Sequence, residues 1–155
     1  MKNVFLIDED TFRFAYTGED ESGNSYWPPV QLVANIAANC HKIVLFEELQ
    51  RKYWQHTDAL KQERRISVLN MPSVINVLLR NSDKVVYLTE IFDMDLEGTP
   101  EDDRLIVRAS IQARAILVTD DGRLLARLHE NRTLERYNLR AMPPKDALAF
   151  SGQAT

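Results

Sequence analysis

Residues Thr99 to Leu125 read TPEDDRLIVRASIQARAILVTDDGRLL, and this stretch decides the fold. It opens with the chemistry of a helix start. Thr99 can cap, Pro100 suits the first helical position, and Glu101, Asp102 and Asp103 favour the positive end of the helix dipole. Leu105, Ile106, Ala109 and Ala113 then mark one helical face. Ile116-Leu117-Val118 is a short apolar run of the kind that forms a strand buried on both faces. It ends at Thr119-Asp120-Asp121-Gly122, and a further helix is predicted over roughly 123–131.

The same alternation extends outward. Val4-Phe5-Leu6-Ile7 is apolar at every residue and stops abruptly at Asp8-Glu9-Asp10. Residues 17–29 are polar and read as a loop ending in Pro28-Pro29, with Pro29 able to start the next helix. Val30, Val33, Ala34, Ala37 and Ala38 recur at helical spacing, and Ile43 to Phe46 is a second buried strand. A polar helix is expected from Glu47 to about Arg65, and another opens after Pro72 within the apolar pattern of residues 66–80. Val85 to Leu88 is a third strand, residues 93–102 an acidic loop, and Leu139 to Met142 a last strand stopped by Pro143-Pro144. Strands alternating with helices predict an α/β fold: three α/β/α layers around a mainly parallel sheet. The length of 155 residues suits one domain, placed at residues 1–150 with a short tail at 151–155.

Composition narrows the function classes. The net charge of −4 argues against a non-specific nucleic-acid binder, which is usually basic, so nucleic acid would have to be met by a local basic patch or through metals. The single cysteine, Cys40, excludes an internal disulfide and fits a reducing cytoplasm. No Cys/His group has zinc spacing, and His41, His56 and His129 form no triad. There is no Gly-rich phosphate loop and no nucleophile elbow. The run at Val4 to Ile7 is too short for a leader core, and no apolar run is long enough for a membrane span.

What remains is a set of acids after strands. In open parallel sheets ligands bind at the carboxyl ends of the strands. Asp8 follows the first strand and Asp121 the strand ending at Val118. Asp103 opens the helix leading into that strand, so it starts at the same sheet edge, where Glu47 and Glu48 also belong. Asp8, Asp103 and Asp121 are therefore expected to face one another. Crowded carboxylates raise each other's pKa unless a cation compensates. Magnesium or manganese, which take oxygen ligands, would do so, activate a water and stabilise charge on a phosphate.

Blander roles compete at each position. Asp102 suits a cap or dipole role, Asp120-Asp121-Gly122 a turn, and Glu47 and Glu48 can pair with Arg51 and Lys52 at i,i+4. Asp93, Asp95 and Glu97 read as a solvated loop. Arg13, Arg51, Lys52, Lys61, Arg64, Arg65, Arg104, Arg108, Arg123 and Arg127 include candidates for phosphate contact against a background of ordinary surface charge. Trp27, Tyr53 and Trp54 can stack bases but suit packing better.

These residues resemble a PIN-domain ribonuclease. The likeness rests on Val4-Phe5-Leu6-Ile7-Asp8, on Asp103 with Ile106 three places on, and on Ala115-Ile116-Leu117-Val118 leading to Thr119-Asp120-Asp121. Leu139 to Leu148 resembles the family's last strand and closing turn. The resemblance implies a parallel sheet between helices and RNA cleavage with magnesium or manganese. It implies Asp8, Glu48, Asp103 and Asp121 as the acidic quartet, with Asp8, Asp103 and Asp121 as metal ligands. Thr119 and Asp10 would position substrate or a metal-bound water. Many members are VapC-type toxins neutralised by an antitoxin, and homodimers are common. Two features depart from the pattern. Asp10 stands where a small polar residue is usual, and Lys52 where the family's acid after the second strand usually lies.

Two other functions fit parts of the chain. Asp8-Glu9-Asp10 after a strand resembles the nucleophile motif of a haloacid-dehalogenase-like phosphatase, with Asp120 and Asp121 for its magnesium, although Thr11 falls one place early and no clear lysine motif is present. A degenerate nuclease domain that only binds RNA or a protein is the third reading.

Overall fold

The computed structural model describes residues 2–62 and 71–152. The expected end of the third helix near Arg65, the pattern at 66–70, Arg64 and Arg65, and residues 153–155 of the expected tail lie outside the described residues, as does the side chain of Lys61.

The described residues form five strands and eight α-helices. The strands are β1 (Val4–Ile7), β2 (Lys42–Phe46), β3 (Val85–Leu88), β4 (Ile116–Val118) and β5 (Arg140–Met142). The helices are α1 (Glu9–Thr17), α2 (Pro28–Ala38), α3 (Glu47–Gln62), α4 (Met71–Arg80), α5 (Glu101–Ala113), α6 (Gly122–Glu130), α7 (Thr133–Arg136) and α8 (Pro144–Ala147). All strand pairs are parallel, in the order β3-β2-β1-β4-β5. Helices cover the sheet on both faces, as the alternating sequence predicts. No helix among the described residues is long and apolar enough to cross a membrane.

The order places a switch point at the centre. The chain steps outward from β1 to β2 to β3, then returns through α5 to lay β4 on the other side of β1. Crossovers leaving β1 and β4 on opposite faces open a crevice between their carboxyl ends. The two strands are in register from Phe5 opposite Ile116 to Ile7 opposite Val118, and the Asp8 amide extends the ladder by donating to the Val118 carbonyl at 2.9 Å. Phe5, Leu6, Ile7, Ile116, Leu117 and Val118 are wholly buried, which is why these runs carry no polar residue.

Several local expectations are corrected. Residues 9–17, unassigned from sequence between the strand and the loop, form α1, capped by Asp8 and buried through Phe12, Ala15 and Tyr16. Those apolar residues recur at i, i+3 and i+4, a helical signal masked by the adjacent acids. Both Pro28 and Pro29 lie in the first turn of α2, and the described part of α4 already includes Met71 and Pro72, so that helix does not open after Pro72. Thr99 does not cap α5. Its hydroxyl is buried without a partner, and the helix begins after Pro100 with no side-chain cap. Gly98 (φ 84°) turns the chain so that Thr99 points inward, and three first-turn acids face the dipole instead. The domain also continues beyond residue 150. Ser151 is buried, accepts from the Asn35 side chain at 3.0 Å and from Asn39 at 2.9 Å, and the Gly152 carbonyl meets His41 Nε2 at 3.0 Å.

Candidate active site

Asp8 leaves β1 in extended conformation and turns into α1. One carboxylate oxygen, Oδ1, accepts the Glu9 amide at 2.8 Å; the other, Oδ2, accepts the hydroxyl of Thr119 at 2.8 Å. Thr119 stands one residue beyond β4 and is fully buried. Its hydroxyl oxygen receives the Asp121 amide at 3.0 Å, so one buried hydroxyl ties Asp8 to the Asp121 turn. Asp121 caps α6 through Oδ1, which accepts from Arg123 and Leu124 at 3.0 and 3.1 Å. Both capping bonds use the same oxygen, which leaves Oδ2 without a protein hydrogen bond among the described residues.

Beside Asp8 lies a cleft of about 410 Å³. Glu9, Glu48, Asp102 and Asp103 line it with Asp8; Leu49, Leu105 and Ile106 supply apolar surface, and Lys52 is the basic residue of its wall. Asp121 stands outside this lining but close enough to Asp103 to act on it electrostatically. Burial pushes the Asp8 carboxyl up to about 6, and the charges of Asp10 and Asp103 add to that rise against the Thr119 and Glu9 hydrogen bonds. The Asp103 carboxyl is also raised, first by burial, then by Asp121 and Asp102, with Lys52 opposing. Asp8 and Asp103 therefore share one cleft, and Asp121 lies near Asp103 without joining the lining. The cause differs from the sequence argument: loss of water contributes more to each rise than crowding among the acids.

The remaining expected residues divide. Glu48 reaches the cleft, but its carboxylate lies 3.8 Å from Lys52. Glu47 makes no ion pair with Arg51 among the described residues. Asp10 is outside the cleft lining, exposed and 3.5 Å from Arg13, so it reaches Asp8 by charge alone. Arg104 and Arg108 serve the loop before α5: Arg104 donates to the Thr99 carbonyl, and Arg108 to that of Met94 while pairing with Asp93 at 3.0 Å. Tyr53 is buried, stacked on Phe12 at 3.9 Å, with its hydroxyl donating to the Ile7 carbonyl, which removes it as a base platform.

Three residues take contacts that the sequence did not reveal. Glu9 lines the cleft, meeting Lys52 at 3.9 Å and His56 at 3.1 Å; with α1 unassigned its direction was hidden. Lys52, a phosphate-contact candidate from sequence, stands between Glu9 and Glu48 within the cleft, and its pairing with Glu9 was not foreseen. Asp120 is held by the Tyr26 hydroxyl and by Thr11, whose hydroxyl donates at 2.7 Å. Nothing in the sequence links residues 11, 26 and 120.

The donor set bears on a metal in two ways. Among the described residues no three His, Cys, Asp or Glu side chains are grouped closely enough to hold an ion directly. Yet the Asp8 and Asp103 carboxyls both have raised pKa values, the condition a nearby cation relieves. Magnesium dehydrates reluctantly and often binds through one or two carboxylates with several waters. Among the described residues the acids do not form a closed all-protein cage for an ion. No family model matches this chain, and no curated protein matches it.

Proposed function

We propose that the chain is a metal-dependent endoribonuclease of the PIN-domain type, hydrolysing RNA phosphodiesters in the cleft beside Asp8. The observation supporting it is the cleft at the carboxyl end of β1 that Asp8 and Asp103 share, both raised in pKa, with Asp121 acting on Asp103 from beyond the lining. In this reading Asp8, Asp103 and Asp121 hold hydrated magnesium or manganese, which when bound supplies Lewis acidity toward a phosphate oxygen and lowers the pKa of a water. Thr119 fixes the Asp8 carboxylate and the Asp121 turn relative to each other. Glu48, freed from Lys52, accepts a proton from the attacking water, and Lys52 is available to the phosphate. The apolar side chains Leu49, Leu105 and Ile106 limit bulk water. The toxin role, an antitoxin partner, a homodimer and a cytoplasmic location belong to the same proposal and rest on the family resemblance. The test is manganese-dependent cleavage of single-stranded RNA by the wild type and its loss in Asp121→Asn; cleavage by that variant at the wild-type rate removes the assignment.

One observation favours the non-catalytic reading. Lys52 already pairs with Glu9 and Glu48, and no direct three-donor cluster is present among the described residues. A manganese titration separates the two: a degenerate domain shows RNA binding indifferent to the ion. The phosphatase reading draws no support, because Asp120, one of its metal ligands, is occupied by Tyr26 and Thr11.

A further inference from the structure

A second groove of about 700 Å³ opens next to the acidic cleft, and Glu48 and Leu105 line both. It runs along the carboxyl ends of β2 and β3. Phe46, Tyr87, Leu88 and Ile91 give it apolar and aromatic surface, and Arg51 stands in its wall with Glu47 and Glu48. Tyr87 lies on β3, the edge strand, and is 47% exposed, unusual for an aromatic residue with a core strand beside it. Arg51 forms no ion pair among the described residues. The far side is braced: the Gln112 side chain accepts the Phe92 amide and donates to the Glu90 carbonyl, both at 2.8 Å, fixing the segment that carries Ile91.

Resting on the ribonuclease reading, we propose that this groove is a nucleobase subsite, in which Tyr87 stacks the base of a nucleotide next to the scissile phosphate and Arg51 meets the adjoining phosphate. The volume falls within the range of small-ligand sites. An aromatic ring beside a guanidinium that has no ion pair among the described residues is the combination that binds single strands, because every base has a face to stack and every linkage a charge. Continuity with the acidic cleft argues for nucleic acid over a peptide, since a base seated here leaves its own phosphodiester at the shared edge formed by Glu48 and Leu105. The groove therefore selects unpaired RNA, whose bases are free to leave the stack.

The experiment measures manganese-dependent cleavage of a short single-stranded RNA by wild type, Tyr87→Ala and Tyr87→Phe, with thermal melts to show that each is folded. Tyr87→Ala is expected to raise KM about tenfold with kcat nearly unchanged, and Tyr87→Phe, which keeps the ring, to behave as wild type. Abasic residues flanking the cleavage point should erase the difference between wild type and Tyr87→Ala. An unchanged KM in Tyr87→Ala, as expected if the groove serves a protein partner, overturns the subsite while leaving the ribonuclease intact; equal damage in both variants also overturns it. A folded wild type that cleaves no RNA overturns the ribonuclease reading and this subsite with it.

Discussion

Thr119 donates its hydroxyl to Asp8 Oδ2 at 2.8 Å, joining the ends of two central strands through a fully buried side chain. The same oxygen accepts the Asp121 amide at 3.0 Å. Replacement by valine keeps the shape and removes both bonds. Thr119→Val should destabilise the fold by about 1–3 kcal/mol, since buried groups lose their partners. It should also depress RNA cleavage by loosening Asp8 against Asp121, and Thr119→Ser should restore much of both. Urea denaturation and cleavage rates measured together check this; a Thr119→Val protein with wild-type stability contradicts it.

Asp8→Asn is expected to abolish cleavage and leave the fold intact, because asparagine caps a helix as well as aspartate does. Its effect on stability depends on pH. The folded protein holds the Asp8 carboxyl at about 6, against an ordinary 3.8, so it binds the proton more tightly than the unfolded chain. Near neutral pH the ionised group costs stability. That cost is absent below about pH 4, grows as pH rises through about 4 to 6, and is complete above that window. In metal-free protein Asp8→Asn should therefore gain stability near neutral pH, by up to about 3 kcal/mol before solvent relaxation reduces it, and gain little near pH 4. Denaturation across the acid range reads this directly, and a pH-independent difference between the two proteins would falsify the burial argument.

Under the proposed function, Lys52 and a divalent cation would compete for the same negative field. The ammonium lies 3.9 Å from Glu9 and 3.8 Å from Glu48 and opposes the rise in the Asp103 pKa. Lys52→Met should bind manganese about fivefold more tightly, corresponding to about 1 kcal/mol for a partly exposed pair. Phosphate contact by Lys52 predicts a loss of cleavage despite the tighter ion. Calorimetric titration that finds no change in manganese affinity removes the competition.

Asp120 and Asp121 are neighbours with different duties. Asp120 anchors Tyr26 and Thr11, whereas Asp121 caps α6 and faces Asp103. Asp120→Asn should retain cleavage within about tenfold and lose on the order of 1 kcal/mol of stability from a weakened charge-assisted bond. Asp121→Asn should keep its cap and lose activity. Reversal of that order would point to Asp120 as the functional acid.

Much of the architecture was legible in the residues. Three uninterrupted apolar runs, Val4 to Ile7 and Ile43 to Phe46 followed by acids and Ile116 to Val118 followed by Thr119-Asp120, named the buried strands, because only a two-sided core tolerates such runs. Strand–helix alternation then required parallel pairing, and parallel pairing sent the residues after the strands to one edge. The placement of Asp8 and Asp103 at one sheet edge followed from position alone.

The third dimension decided which neighbours those acids have. Lys52 at i+4 from Glu48 looks the same in sequence whether it serves the surface or a cleft; it enters the site because Glu9, on a helix missed from sequence, lies opposite. Thr11 and Tyr26 reach Asp120, and Thr99 turns inward instead of capping, for reasons of packing between distant segments. Sequence periodicity reports which face of an element meets the core, because burial repeats with the backbone's own period. It carries no record of what lies across the gap, since side-chain contacts, desolvation and pKa depend on distances that exist only once the chain has closed on itself.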